Sequence, residues 1–202
     1  MPAPSKKLTE MTLEELWQLF PITLVPHRPE WKEWARAEII SLARILDGFQ
    51  PEINHIGSTA IPCIKAKPII DILVEISPDA DWTVAKRSME SAGYICMSES
   101  EGRMSFNKGY TPSGYAEKVF HVHFHVTGDN DEIRFRDRLI SHPADAREYE
   151  ALKLSLLPRY RHDRDAYTAA KTAFITRILS TSRDQFGMPQ DLSTSNGIPD
   201  DV

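Results

Sequence analysis

The sequence predicts an α+β (α/β) fold: a mixed β-sheet flanked by helices, with a helical C-terminal part. Three observations predict it. IIDILVEI, residues 69–76, is an apolar run broken only by Asp71 and Glu75, as in a central strand covered on both faces. VFHVHFHV, residues 119–126, alternates with period two, as strands do. After Gly128 the apolar residues recur at helical spacing to about residue 180.

The elements follow in order. Leu13, Leu16, Trp17 and Phe20 are spaced for a short helix over 12–20, preceded by a lead over 1–10, and Pro21 and Pro26 then force extended chain. Pro29 suits the first turn of a helix over 30–47, which buries Trp31, Trp34 or Ala35, Ile39, Leu42 and Leu46 and stops at Asp47-Gly48. Strands are expected at 51–56 and 69–76. Asp81 caps a helix carrying Trp82, Ala85, Met89 and Ala92, which Gly93 ends. Strands near 94–98, 103–108 and 119–127 follow, with GYTPSG, 109–114, as a loop. Asp129 or Asn130 caps a helix with Ile133, Leu139 and Ile140; Pro143 opens one with Tyr149, Leu152 and Leu156; a last helix spans about 163–180. The expected division is a lead and short helix over 1–21, one domain over 22–181, and a polar tail over 182–202 that packs poorly.

Composition narrows the function classes. The chain has 202 residues, 41% hydrophobic and 26% charged, enough for one domain with a sizeable core. A net charge of −5 gives no footprint for generalised nucleic-acid binding. Cys63 and Cys96 have neither metal spacing nor a disulfide framework. No apolar stretch approaches the roughly 18 residues of a membrane span, and the N-terminus lacks an apolar signal core. The expectation is a soluble cytoplasmic protein that takes a small-molecule or nucleotide ligand.

The most informative stretch is HIGSTAIPCIKAKPIID, residues 55–71. Gly57 lets the backbone approach a ligand closely, and Ser58 with the N–H groups of a helical turn can hold phosphate oxygens. Asp71 lies among Ile, Leu and Val, where a carboxylate is costly unless paired, hydrogen-bonded or bound to a cation. It either braces the Gly-Ser turn or serves a ligand.

IGSTAIPCIKAKPIIDILV resembles the signature of the GrpB family (UPF0157), of the nucleotidyltransferase-fold superfamily. VPHRPEW (25–31), HFHV (123–126), FRDRLISHP (135–143), AREYEALK (146–153) and DRDAYTAAKTAFI (163–175) extend the resemblance to roughly residues 22–180. His27 stands where the family usually has tyrosine, and Cys63 where it usually has glycine. The resemblance implies a nucleotidyltransferase-like sheet, a nucleoside triphosphate donor, and Mg²⁺ on two acids spaced by two. Here the first acid is Asp71 and the second position holds Leu73; Glu75, about 13 Å from Asp71 by strand rise, is too far to share its ion. The resemblance makes Gly57, Ser58, Thr59 and Lys67 candidate phosphate contacts, with Arg103 and Lys171 as cations aimed at the same cleft or at Asp71 or Glu75. It also implies an alternative role as a non-catalytic nucleotide- or coenzyme-binding accessory domain, as in fusions with dephospho-CoA kinases.

His121, His123 and His125 share one strand face. If that strand lies beside Asp71, His123 or His125 can replace the missing acid, giving a site at Asp71, His123 and His125 that favours Mn²⁺ or Zn²⁺ over Mg²⁺. His121 looks surplus to the family pattern. The same string resembles the histidine-triad motif of nucleotide hydrolases, with His123 as nucleophile. A solvated histidine face on an edge strand is the plain alternative. Asp71 and His123 are the candidate catalytic residues.

Overall fold

A computed structural model describes residues 6–185. Residues 1–5 of the expected lead and 186–202 of the expected polar tail lie outside the described residues. Five strands form one sheet: β1 (Glu52–Ile56), β2 (Ile70–Ile76), β3 (Ile95–Ser100), β4 (Arg103–Thr111) and β5 (Gly114–Val126). Their spatial order is β1-β2-β5-β4-β3. The central pair β2–β5 is parallel and the other three pairs are antiparallel, so the sheet is mixed, as expected.

Helix starts follow local chemistry. α1 (Leu13–Leu19) opens on a reciprocal cap: the Glu15 N–H donates to Thr12 Oγ1 at 3.2 Å, and the Thr12 N–H to the Glu15 carboxylate at 2.7 Å. α3 (Trp82–Ser91) starts where Asp81 Oδ1 accepts from Val84 N at 3.0 Å. α2 (Glu30–Ile45) follows Pro29, and α5 (Pro143–Tyr160) begins on Pro143. α4 spans Asp131–Ser141.

Two expectations change. The single last helix is broken: α6 (Arg164–Ala169) and α7 (Thr172–Gln185) are separated at Ala170-Lys171, with no glycine or proline to announce it. GYTPSG is not a loop. β4 runs through Tyr110 and Thr111, which pair with Tyr115 and Gly114. Only Pro112-Ser113 turn, and the register shifts between Lys108 and Tyr110. Gly109, at φ +94°, allows that shift, because a Cβ there would strike the Lys118 carbonyl.

Period-two alternation divides the sheet into two unlike faces. One presents Ile70, Ile72, Val74, Ile76, Met104, Phe106, Val122 and Phe124 to Trp31, Ala35 and Leu42 of α2 and to Ala85 and Met89 of α3. Ala35, not Trp34, is the fully buried alternative. The opposite face carries Asp71, Leu73 and Glu75, His121, His123 and His125, and Ser105 and Asn107. A second apolar cluster, with Phe135, Leu139, Tyr149, Phe174 and Ile178, holds the C-terminal helices together and takes in Ile61 and Ile64. A polar sheet face thus meets a helical layer that has its own core. Among the described residues no helix is long and apolar enough to cross a membrane.

Candidate functional site

β1 ends at Ile56, whose register partner across the sheet is Asp71. The next residue, Gly57, has φ +68° and ψ −174°, a conformation essentially reserved for glycine. The Asp71 carboxylate fills the space a Cβ at Gly57 would need; that Cβ would lie 2.9 Å from Asp71 Cβ and Cγ. Gly57 is therefore required by the close approach of its own backbone to Asp71.

A 3-10 turn, Ser58–Ala60, follows. Thr59 is buried, and its hydroxyl donates to the Ile69 carbonyl at 3.2 Å while bonded to His55 Nε2 at 3.0 Å. With that hydroxyl proton on Ile69, His55 Nε2 is the donor to Thr59. Burial pushes the imidazole down to about 4 despite the opposing pull of Asp71, so it is neutral at pH 7. In this geometry the Thr59 hydroxyl ties the turn to the entrance of β2.

Ser58 faces the helical layer. Lys153 Nζ, from α5, donates to Ser58 Oγ at 3.0 Å and to the Lys65 carbonyl at 2.6 Å, and lies 4.7 Å from the Tyr149 ring centroid. Glu150 anchors the same loop by accepting from Lys65 N at 2.6 Å. Burial lowers Lys153 to about 7; Lys67 lowers it further, while Glu150 and Asp71 hold it up. Ser58, Lys67, Asp71, Lys153 and Lys171, with Tyr149 and Tyr167, surround a cavity of about 20 Å³. Lys171 sits at the α6–α7 break, with Nζ 5.1 Å from the Tyr167 ring centroid. A larger open depression of about 950 Å³ lies beside α1, lined by Trp17, Gln18 and His162, and none of the residues just named borders it.

The parallel pairing of β2 and β5 sets Asp71 opposite His121, Leu73 opposite His123 and Glu75 opposite His125. Asp71 Oδ1 lies 3.4 Å from His121 Nδ1 and 3.8 Å from His123 Nε2. Burial alone would raise the Asp71 carboxyl, but the hydrogen bonds and charges of His121 and His123 outweigh it and hold it well below the usual range. Tyr110 Oη is 2.7 Å from His121 Nε2 and accepts from Arg164 Nη1 at 3.0 Å; Arg164 Nη2 donates to Tyr115 Oη at 3.0 Å.

The remaining candidates lie at the other end of the sheet. His125 Nδ1 donates to the Asp129 carbonyl at 2.8 Å and is 3.8 Å from Glu132. Arg103 makes two hydrogen bonds of 2.9 Å to the Asp129 carboxylate, so it points away from the Asp71 pocket. Glu75 Oε1 accepts from Gly128 N at 2.8 Å and from Asn130 Nδ2 at 3.3 Å. His121 is thus a partner of Asp71 rather than a surplus residue, and His125 is not one. The histidine row is buried on the middle strand of five, not solvated on an edge. His121 and His123 turn to Asp71, whereas His125 turns to Asp129.

Sequence reading missed Lys153, Tyr110 and Arg164. Lys153 follows Tyr149 at helical spacing, but in an amphipathic pattern a lysine there reads like a solvated one. Tyr110 was hidden in the supposed loop.

A family model described as GrpB protein matches residues 21–181. A UPF0157 protein of Pseudomonas aeruginosa is 40% identical over 163 residues, 78% of this chain and 66% of the relative, so the chain spans just under two thirds of that protein. The glutamate-rich protein GrpB of Alkalihalophilus pseudofirmus is 35% identical over 165 residues, 79% of this chain and 94% of the relative. The crystal structure of conserved protein GrpB from Enterococcus faecalis superposes with a TM-score of 0.70 at 29% identity, covering 82% of this chain and all of the other.

Proposed function

The chain belongs to the GrpB family, and from that premise we propose that it binds a nucleoside triphosphate at the Gly57-Ser58 turn and transfers its nucleotidyl group to a small-molecule acceptor. The observation that carries the reading is convergence: the Gly57-Ser58 turn, the Asp71 carboxylate and Lys67, Lys153 and Lys171 meet at one pocket, although they come from distant parts of the chain. Buried lysines beside a serine hydroxyl are a donor set for phosphate oxygens. The cavity as it stands holds about one water, so a phosphate enters as the Lys153 side chain swings from Ser58 and the Lys65 carbonyl onto its oxygens.

A divalent cation would sit on Asp71, whose low carboxyl affinity for protons keeps it anionic, and would supply charge neutralisation at the phosphates. The protein's own residues do the rest. The lysines steady the departing pyrophosphate, and the turn fixes the α-phosphate. The acceptor oxygen then bonds to phosphorus as the bond to pyrophosphate breaks, and the acceptor proton leaves to solvent. A second reading, binding without transfer, is favoured by one observation: Leu73, fully buried, stands where paired-acid transferases carry their second carboxylate.

Calorimetric titration of ATP, GTP, CTP and UTP with Mg²⁺, Mn²⁺ or Zn²⁺ into wild type and Asp71→Ala tests the first step. Metal-dependent binding that the variant loses is expected. Failure of every nucleotide to bind wild type refutes the proposal. Pyrophosphate release across an acceptor panel then separates transfer from binding alone.

A further inference from the structure

We propose that Asp71, His121 and His123 form a mononuclear site for a borderline divalent transition metal of the Zn²⁺, Mn²⁺ and Co²⁺ class, with Tyr110 fixing which nitrogen of His121 is the ligand. The proposal names the ion left open in the nucleotide reading and rests on that reading for its purpose, but not for its geometry.

The three ligand atoms lie within 4.8 Å of one another, with Asp71 Oδ1 3.4 Å and 3.8 Å from the two ring nitrogens. Ligands in a tetrahedral shell with bonds of about 2.1 Å are about 3.4 Å apart. Small side-chain rotations therefore close the shell. The ligands project from adjacent strands of the central parallel pair. Two imidazoles and one carboxylate leave positions open for substrate or water, and Asp71 also borders the lysine pocket, so a phosphate oxygen can reach them. Mg²⁺ demands six oxygens at about 2.1 Å and is poorly served by two nitrogens; Zn²⁺, Mn²⁺ and Co²⁺ accept them. Leu73 removes the carboxylate that Mg²⁺ would require, while His121 stands opposite Asp71 and His123 opposite Leu73 on the neighbouring strand.

Tyr110 supplies what ligating histidines need, a partner for the other ring nitrogen. Its oxygen is 2.7 Å from His121 Nε2 and already accepts one N–H from Arg164. A second lone pair is left to accept Nε2–H, so Nδ1, the nitrogen facing Asp71 and His123, is the one that exchanges its contact with Asp71 for the ion. Tyr110 is in this sense a positioning residue, and Arg164 holds it.

The test uses the metal-free full chain and metal alone. Co²⁺ is titrated and followed by its visible absorption, then displaced by Zn²⁺, Mn²⁺ or Mg²⁺. One site per chain is expected, displaced by Zn²⁺ but not by millimolar Mg²⁺. Asp71→Asn, His121→Gln and His123→Gln, each checked for a native far-ultraviolet spectrum, lose the Co²⁺ bands. Tyr110→Phe keeps them but binds about 10–100-fold more weakly. Absence of Co²⁺ binding, displacement by Mg²⁺ as readily as by Zn²⁺, or an unchanged spectrum in His121→Gln overturns the proposal. Nucleotide binding with Mg²⁺ but no Co²⁺ binding sinks this inference alone. Co²⁺ binding without any nucleotide binding sinks the transferase reading and leaves the site standing.

Discussion

Gly57→Ala tests the geometry on which the site depends. At φ +68° and ψ −174° a Cβ is strained against its own backbone, at a cost of roughly 1–3 kcal/mol. The new methyl would also sit 2.9 Å from Asp71 Cβ and Cγ, too close without moving β1 relative to β2, which adds about another 1–3 kcal/mol. The expected loss is about 4 kcal/mol, a large share of the roughly 5–15 kcal/mol by which domains are stable. Urea denaturation followed by tryptophan fluorescence would measure it in wild type, Gly57→Ala, Asp71→Ala and the double variant. Removing the carboxylate relieves the contacts with Cγ and Oδ2 but leaves the torsional strain and the Cβ contact. Gly57→Ala should therefore cost about 1 kcal/mol less in the Asp71→Ala background. A cost below about 1 kcal/mol in wild type, or the same cost in both backgrounds, would refute the claim that the carboxylate presses on the turn.

Two further outcomes follow from local features. Burial lowers Lys153 from 10.5 to about 7, so between these values the unfolded chain holds the extra proton and stability from this residue rises with pH, by up to about 1.4 kcal/mol per unit. Lys153→Met should flatten the stability difference between pH 7 and pH 9; equal slopes in variant and wild type would count against a buried, titrating amine. Phosphate affinity should run the other way in wild type, weakening as pH climbs through 7. Cys63 is exposed at φ +68°, where a side chain costs about 1 kcal/mol. Cys63→Gly should raise the denaturation midpoint, and a lower midpoint would show that the left-handed conformation carries no strain.

Much of the fold was legible because periodicity encodes it. Ile70, Ile72, Val74 and Ile76 share a face with Val122 and Phe124, and alternation alone assigns them to the core. The Gly57–Asp71 pair was legible in part: a carboxylate in an apolar strand needs a partner, but that it packs against the backbone of Gly57 follows only from the register of β1 on β2. Register was not. Three histidines at period two are equivalent until the neighbouring strand is aligned, and the parallel pairing selects His121 and His123 over His125. Arg103 shares the histidine face, but it lies opposite His125 and is captured by Asp129, a residue read only as a helix cap. Lys153 was masked by the amphipathic pattern of α5, where a buried lysine looks like a solvated one that happens to follow Tyr149.

The position of the parallel pair also bears on how the chain assembles. β3, β4 and β5 form a meander of neighbours in sequence, and β1 and β2 form a second local unit. Both can organise early because their loops are short to close. Joining them requires β2 to find β5 across the intervening helix and hairpin, the non-local step that limits folding rate in such topologies. Asp71 arrives with one unit and His121 and His123 with the other, so the pocket is created only when that seam zips shut. A ligand bridging the two strands would act as a latch on the last event of folding, slowing unfolding more than it speeds refolding.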